Sequence, residues 1–280
     1  HKEYRRQRQM CIRDSFYGQY ARINSFWENS DLAAVGLPSE EELKLLSPLK
    51  SDLPSDVLTE NALMAPVSGT RPMDRANLRK ANAMLDSAGW IVGDDGLRRN
   101  ADGDTLKIEV IEDSAAFDRI VLPFVENMKA AGIDAKYNRI DPAQYTDRTR
   151  NYDFDIITDQ FPMSYEPSSG LKQYFGSETA DDSVFNSMGL KSKAVDKLIE
   201  HVVAAENKSD LKIAVKALDR TLRAYNFWIP QWYNDQHRVA YWDMYEHPEK
   251  IAPYDLGYLD YWWYNEDKAR ALKDAGFLSQ

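Results

Sequence analysis

Three carboxylates, Asp153, Asp155 and Asp159, stand around one short apolar run, YDFDIITD. Two acids held at a defined separation are what glycoside hydrolysis requires. Along an extended strand Asp153 and Asp155 project to the same face, and Asp159 falls at the exit, where ligand contacts gather at the carboxyl ends of α/β sheets. The pattern marks a contact position better than it marks a reaction. Ser47 with Lys50 and Ser169 with Lys172 have the SxxK spacing that sets a lysine beside a serine nucleophile on a helix. Pro48 and Gly170 oppose a helix at those places, and no KTG tripeptide accompanies them. His1, His201, His237 and His247 have no partner at metal-ligand spacing, and no glycine-rich phosphate loop, HExxH pair or GxSxG elbow occurs. Cys11 is the only thiol, so the rest of the chain has neither a disulfide framework nor a cysteine nucleophile. The expectation is a protein without catalytic residues, metal or cofactor.

The elements that position these groups show in the periodicity. Asp74 caps a helix whose inner stripe is Leu78, Ala81, Leu85 and Ala88, and Gly89 supplies its left-handed stop. Asp94, Asp95 and Gly96 make a tight turn, after which Leu106, Ile108 and Val110 alternate as a strand. A helix is predicted from about Ala115 to Ala131, with Phe117, Val121, Phe124 and Met128 on one face and Gly132 as its stop, and Ile133, Ala135 and Tyr137 then alternate again. This strand, helix and strand unit is right-handed if its strands are parallel. Asp141 and Pro142 open a short helix, and Phe154 to Thr158 read as a buried strand. Two longer helices, about Ala194 to Glu206 and Ser209 to Tyr225, carry Val195, Leu198, Ile199 and Val202, then Leu211, Val215, Leu218 and Leu222, as core stripes. Upstream, Ser39 caps a short helix to Leu46, with Glu40, Glu41 and Glu42 in its first turn. The order predicts an α/β lobe built on a sheet.

At 280 residues and 43% hydrophobic, the chain can bury one large core or two smaller ones. A formal net charge of −10 argues against nucleic acid or an anionic membrane surface as partner, because a phosphate-binding face needs clustered Lys and Arg. No run approaches the roughly 18 apolar residues of a membrane span. Residues 1–15, HKEYRRQRQMCIRDS, differ from the rest: Lys2, Arg5, Arg6, Arg8 and Arg13 outnumber Glu3 and Asp14, and RRQRQMCIRDS resembles a translated sequencing adapter. They are read as a non-native leader, with a basic terminal arm as the alternative. From Tyr225 onward aromatic residues crowd the chain, among them Trp228, Trp232, Tyr233, Tyr241, Trp242 and the run Tyr261, Trp262, Trp263, Tyr264. Rings with polar tips suit a half-wet surface or an interface, and a core strand followed by a loop that covers a partner domain gives the same composition. Aromatic platforms also stack on sugar faces, which keeps a carbohydrate-binding or glycoside-acting protein open as the alternative function.

The segments LDSAGW with its DG turn and NADGDTL, then AAGIDAKYNRID, QYTDRTRNYDFDI, KSKAVDKLIEHVVAAENKSDLKIAVKALDRTL and IPQWYNDQHRVAYWDMYEHPE resemble the later half of a family 5 extracellular solute-binding protein. These are the large peptide and nickel receptors of ABC importers. The opening FYGQYARINSFWENSDLAAVGLP and the closing WW resemble the Yej-type oligopeptide-binding branch, and the likeness runs from Phe16 to about Ala271. The resemblance implies an α/β, type II (class C) periplasmic-binding-protein fold. Residues 16–225 would be the second lobe, and residues 226–280 the crossing between lobes and the return to the first. Family members are much longer, so most of the first lobe and a signal peptide are expected upstream.

The resemblance further implies a periplasmic, monomeric receptor whose lobes close on an oligopeptide or peptide-like compound and present it to an ABC importer permease, with no cofactor. Backbone hydrogen bonds from cleft strands would give sequence-tolerant affinity, and roomy side-chain pockets would give breadth. Arg148, close to the family position of a cleft arginine, would pair with a peptide carboxylate, or else with Asp147 or Asp155. Family peptide receptors place an aspartate just before the segment aligned with Tyr165, Glu166 and Pro167, where it captures the peptide amine. Here Met163 and Ser164 stand there, which leaves Asp159 or Glu166 as substitutes. The other cleft candidates are Tyr17, Gln19, Arg22, Asn186, Trp232 and Tyr233, each with packing as its alternative role.

Overall fold

The computed structural model describes residues 20–67, 73–181, 184–251 and 256–277. The described residues divide into two units, the first ending at Tyr233 and the second beginning at Asn234. In chain order the first holds β1 (Ala21–Arg22), α1 (Glu40–Leu46), α2 (Arg75–Ser87), β2 (Ile91–Val92), β3 (Arg98–Arg99), β4 (Lys107–Glu112) and α3 (Asp118–Ala130). It continues with β5 (Asp134–Arg139), α4 (Pro142–Arg150), α5 (Leu171–Phe175), α6 (Lys193–Val203), α7 (Lys208–Ala224) and β6 (Trp232–Tyr233). The second holds β7 (Tyr245–Glu246), β8 (Trp263–Tyr264) and α8 (Glu266–Asp274).

Local chemistry sets the ends of these helices. Ser39 accepts from Glu42 N while the Glu42 side chain accepts from Ser39 N, a reciprocal capping box at the start of α1. Asp74 accepts from Ala76 N and Asn77 N at the start of α2. Gly89, at φ 85°, ends α2 with Trp90 N donating to Leu85 O and Gly89 N to Asp86 O, and Gly132, at φ 84°, ends α3 with the same pair of bonds one helix later. Only a residue without Cβ takes these angles without strain.

β4 and β5 pair in parallel from Lys107 opposite Asp134 to Glu112 opposite Arg139, with α3 as the crossover. Val110, Val121, Val125, Met128, Ile133 and Ala135 close the core between sheet and helix. The helix expected from Ala115 starts as a 3₁₀ turn over Ala115–Phe117 and becomes α-helical at Asp118. The strand expected over Phe154–Thr158 is reduced to one parallel bridge between Val110 and Ile156, and it is half-buried at most. Its ladder stops because the Asp155 carboxylate accepts from Glu109 N at 2.7 Å, taking the donor that the next rung would use. The stripe of α2 is also shallower than expected: Leu78, Ala81 and Leu85 are half-buried and Ala88 is exposed. After it, β2 and β3 form an antiparallel hairpin around Gly96.

The larger core lies between α6 and α7. Val195, Leu198, Ile199 and Val202 face Val215, Leu218 and Leu222, and Phe26, Trp27, Leu46, Leu171 and Phe175 pack around them. Each fully buried side chain of this kind contributes about 1.5–3 kcal/mol. A second binder of the same region is ionic. Asp219, with no exposure, accepts from Phe26 N at 3.1 Å, from Ala34 N at 2.9 Å and from Arg223 Nη1 at 2.9 Å. Arg223 also donates to Ala34 O and Leu63 O, and Arg220 pairs with the buried Glu42 at 3.0 Å. Burial pushes the Asp219 carboxyl group up in pKa against the pull of Arg223. One turn of α7 thus fastens the loop after β1, the 62–65 segment and α1.

In the second unit β7 and β8 pair antiparallel, Trp263 Nε1 donates to Glu246 at 3.0 Å, and Lys268 bridges Asp243 and Glu246. Tyr241, His247 and Trp262 pack against one another, with Tyr241 meeting both partners edge-on, and Tyr241, Trp242, Tyr258, Tyr261, Trp263 and Tyr264 are exposed. The aromatic tract is therefore largely a wet surface in this unit.

Candidate ligand-binding site

The carboxyl ends of β4, β5 and the Ile156 segment gather the groups that sequence order keeps apart. β4 ends on Glu112, which is 1% exposed. One of its carboxyl oxygens accepts from Asp113 N at 3.1 Å and Ser114 N at 3.0 Å, and the other accepts from Thr158 Oγ1. Tyr145 of α4 donates to Thr158 O at 3.1 Å; burial raises the pKa of its hydroxyl, and the charges of Glu112, Asp159 and Asp113 raise it further. Asp159, exposed, follows directly and accepts from Ser187 Oγ at 2.6 Å. Asp118, at the start of α3, accepts from Tyr137 at 2.6 Å and Arg139 at 3.1 Å. Desolvation and then the Asp118 bond raise the Tyr137 hydroxyl pKa.

The second component is the β1–β6 ribbon. Arg22 lies opposite Trp232 and Ala21 opposite Tyr233 in antiparallel register. The Trp232 ring lies 6.3 Å from Phe117, at the turn that follows Glu112, and 6.5 Å from Tyr20. The ribbon and the exit of β4 are therefore in contact through Trp232 and Phe117. Beyond β1, Phe26 sits among Phe161, Phe175 and Trp228 at 5.3, 5.3 and 4.3 Å, and Trp27 Nε1 donates to Ser164 O at 3.0 Å. Those contacts hold the 159–166 segment against the chain leaving the ribbon. Ser164, Tyr165 and Glu166 themselves are exposed, with Ser164 Oγ accepting from Glu166 N.

The structure thus sets Arg22, Trp232 and Tyr233 on one ribbon, ties Ser164 to Trp27 just beyond β1, leaves Tyr165 exposed in the same segment, and sets Asp159 after the Ile156 bridge. Two expected residues go elsewhere. Asn186 is fully buried: its Nδ2 donates to Gly176 O and Leu190 O, and its Oδ1 accepts from Leu190 N, so its amide is committed to holding a turn. Arg148 is committed to the framework through Glu109 at 2.6 Å and Asp153 at 2.8 Å, neither of them Asp147 or Asp155, the partners weighed beside a ligand carboxylate. Its bond to Glu109 holds that carboxyl group below the usual carboxylate range. Tyr17 and Gln19 lie outside the described residues, as does Cys11. Asp153 and Asp155 are occupied by Arg148 and Glu109 N, so neither pairs with Asp159 as an acid couple.

Glu112, Phe117, Tyr145 and Ser187 were not legible as site residues. Glu112 ends a strand whose last three positions, Val110, Ile111 and Glu112, are all buried, so the alternation that reads the rest of β4 gives no sign of it. Among the described residues no group of three or more His, Cys, Asp or Glu is placed to hold a metal ion, and no helix is long and apolar enough to cross a membrane. A concavity of about 180 Å³ lined by Val35, Leu37, Lys212 and Lys216 contains none of the expected ligand residues. The candidate site is an open edge in these residues.

The family model of bacterial extracellular solute-binding proteins, family 5 Middle, matches residues 8–182. A probable peptide-binding protein YejA from Agrobacterium fabrum is 38% identical over 248 residues, which are 88% of this chain and 40% of that protein. The chain spans 38% to 43% of the length of the curated relatives it matches. The oligopeptide-binding protein AppA from Bacillus subtilis, solved with a nonapeptide, superposes with a TM-score of 0.50 at 16% identity, covering 81% of this chain and 45% of that one. A mannohexaose-bound periplasmic oligopeptide-binding protein from Thermotoga maritima gives 0.54 at 17% identity, covering 83% and 41%. Both likenesses are of fold, and the fold is the type II periplasmic-binding-protein fold.

Proposed function

Because the chain belongs to the bacterial extracellular solute-binding proteins of family 5, we propose that it forms part of the substrate-binding component of a periplasmic ABC importer, taking up oligopeptides or peptide-like compounds for delivery to a membrane permease. The observation that carries this reading is the contact between the β1–β6 ribbon and the exit of β4, made by Trp232 on Phe117. It assembles a polar strand edge and an aromatic surface on one scaffold. An extended ligand laid along this edge would take main-chain hydrogen bonds from the ribbon and the 159–166 segment, which is tolerant of side-chain identity. Arg22 would face a ligand carboxylate, and Asp159 or Glu166 an amine. The Trp232 and Tyr165 rings would cover apolar side chains. Nothing in this reading requires bond making or breaking. In it, residues 226–280 are the crossing between lobes and the return to the first lobe, which completes the cleft.

A carbohydrate ligand is the second reading, favoured by the exposed rings of Trp242, Tyr258, Tyr261 and Trp263 in the second unit. The Thermotoga maritima neighbour is described as bound to mannohexaose, so the fold alone does not choose between ligand classes. The test is a thermal-shift titration of a chimera in which this chain replaces the matching segment of the Agrobacterium fabrum relative. Pooled di- to octapeptides and an oligosaccharide set are compared. Saturable stabilisation by peptides supports the proposal, at about 2.7 kcal/mol when ligand reaches roughly 100 times Kd. Stabilisation by oligosaccharides alone would replace it with the second reading.

A further inference from the structure

Resting on the reading that the carboxyl edge of β4 faces the ligand, we propose that Glu112 is the positioning residue of that edge, setting where Asp159 and the Phe117–Trp232 contact stand relative to each other. Three observations converge on it. Glu112 is 1% exposed and occupies the last position of β4. Its Oε1 accepts from Asp113 N and Ser114 N and turns the chain out of the strand; Ser114 Oγ then accepts from Ala116 N at 3.3 Å, which starts the 3₁₀ turn that presents Phe117 to Trp232. Its Oε2 accepts from Thr158 Oγ1, one residue before Asp159. A single buried carboxyl group therefore ties together two strand exits that lie 46 residues apart in sequence.

The chemistry of its partners separates Glu112 from the other buried acids. Glu42 is paired with Arg220 and Asp219 with Arg223. The three donors to Glu112 are two backbone amides and a hydroxyl, and no ion pair reaches it among the described residues. What it supplies is the reach and the two-oxygen geometry of its side chain. Gln preserves that shape: its Oε1 accepts the two amides and its Nε2 donates to the Thr158 hydroxyl, which has lone pairs to receive it. Asp keeps the acid but is one methylene shorter and cannot span both exits. Ala spans neither.

The test needs no ligand. The full chain is labelled with 5-fluorotryptophan, the Trp232 resonance is assigned with Trp232→Phe, and fluorine spectra are recorded for Glu112→Gln, Glu112→Asp and Glu112→Ala. The proposal predicts that Glu112→Ala and Glu112→Asp shift or broaden the Trp232 resonance toward that of free fluorotryptophan while the other indole signals stay in place, and that Glu112→Gln keeps the parent position. Should Glu112→Ala fail to fold, the Gln and Asp variants decide alone. An unmoved Trp232 signal in Glu112→Asp, or equal displacement in Glu112→Gln and Glu112→Asp, would overturn it. Because the readout is ligand-free, its failure leaves the peptide-binding reading standing, and failure of that reading leaves these spectra unchanged.

Discussion

Replacing Asp219 by Ala strands a buried cation. The Asp219 side chain has no exposure, and its removal takes the only acid paired with Arg223 among the described residues, itself 4% exposed, along with the acceptor for Phe26 N and Ala34 N. Since burial raises the Asp219 pKa against the pull of Arg223, desolvation of the carboxylate outweighs what the ion pair returns. The penalty of the variant arises from what remains: an uncompensated guanidinium and two orphaned amides. Breaking a buried pair in this way costs about 3–5 kcal/mol. For a unit of this size, about 2–4 °C per kcal/mol then gives a fall in Tm of roughly 6–20 °C. Urea denaturation followed by tryptophan emission and calorimetry both read it, with Lys197→Ala as control, since the Lys197–Glu200 pair is solvent-exposed and screened. If Asp219→Ala and Lys197→Ala moved the midpoint equally, the ionic network on α7 would not be what fastens the loop after β1.

Two further outcomes test local claims. Glu109, whose carboxyl pKa is lowered by Arg148, contributes stability that is full above its ordinary value of 4.5 and is lost as pH falls through the lowered one; Glu109→Gln should flatten the acid side of a Tm-against-pH profile while leaving the neutral side shallow. Gly132→Ala meets Gly96 O and Arg98 Cγ at 3.0 Å with φ +84°, whereas Gly89→Ala meets nothing within 4 Å at φ +85°. Urea midpoints should therefore show about 1 kcal/mol lost at Gly89 and about 2–3 kcal/mol at Gly132, and equal losses would refute the close approach of α3 to the β2–β3 hairpin.

Helices were legible because their causes are local. The caps at Ser39 and Asp74, the stops at Gly89 and Gly132, and the stripes of α6 and α7 each depend on residues within a few positions of one another. What the sequence hid depends on distant partners. β1 and β6 are two residues each and meet across some 210 positions, so no run of alternating residues announces them. The polar side of the site was hidden for a related reason: whether Arg148 reaches a ligand or Glu109, and whether Asn186 points outward or closes a turn, is decided by tertiary packing. Trp232 and Arg22 entered as candidates through family resemblance, and Glu112 gave no sign because a buried acid held by amides leaves no charge pattern to read.

Hydrogen exchange most directly locates a ligand lying along the edge formed by the β1–β6 ribbon and the strand exits. The chimera with the Agrobacterium fabrum relative is exchanged with and without a saturating peptide pool, and protection is mapped by residue. A ligand on this edge slows exchange at residues 21–23, 158–166 and 231–233 and leaves the 241–264 tract unchanged. Protection confined to the aromatic tract, or appearing there only with oligosaccharide, would contradict it.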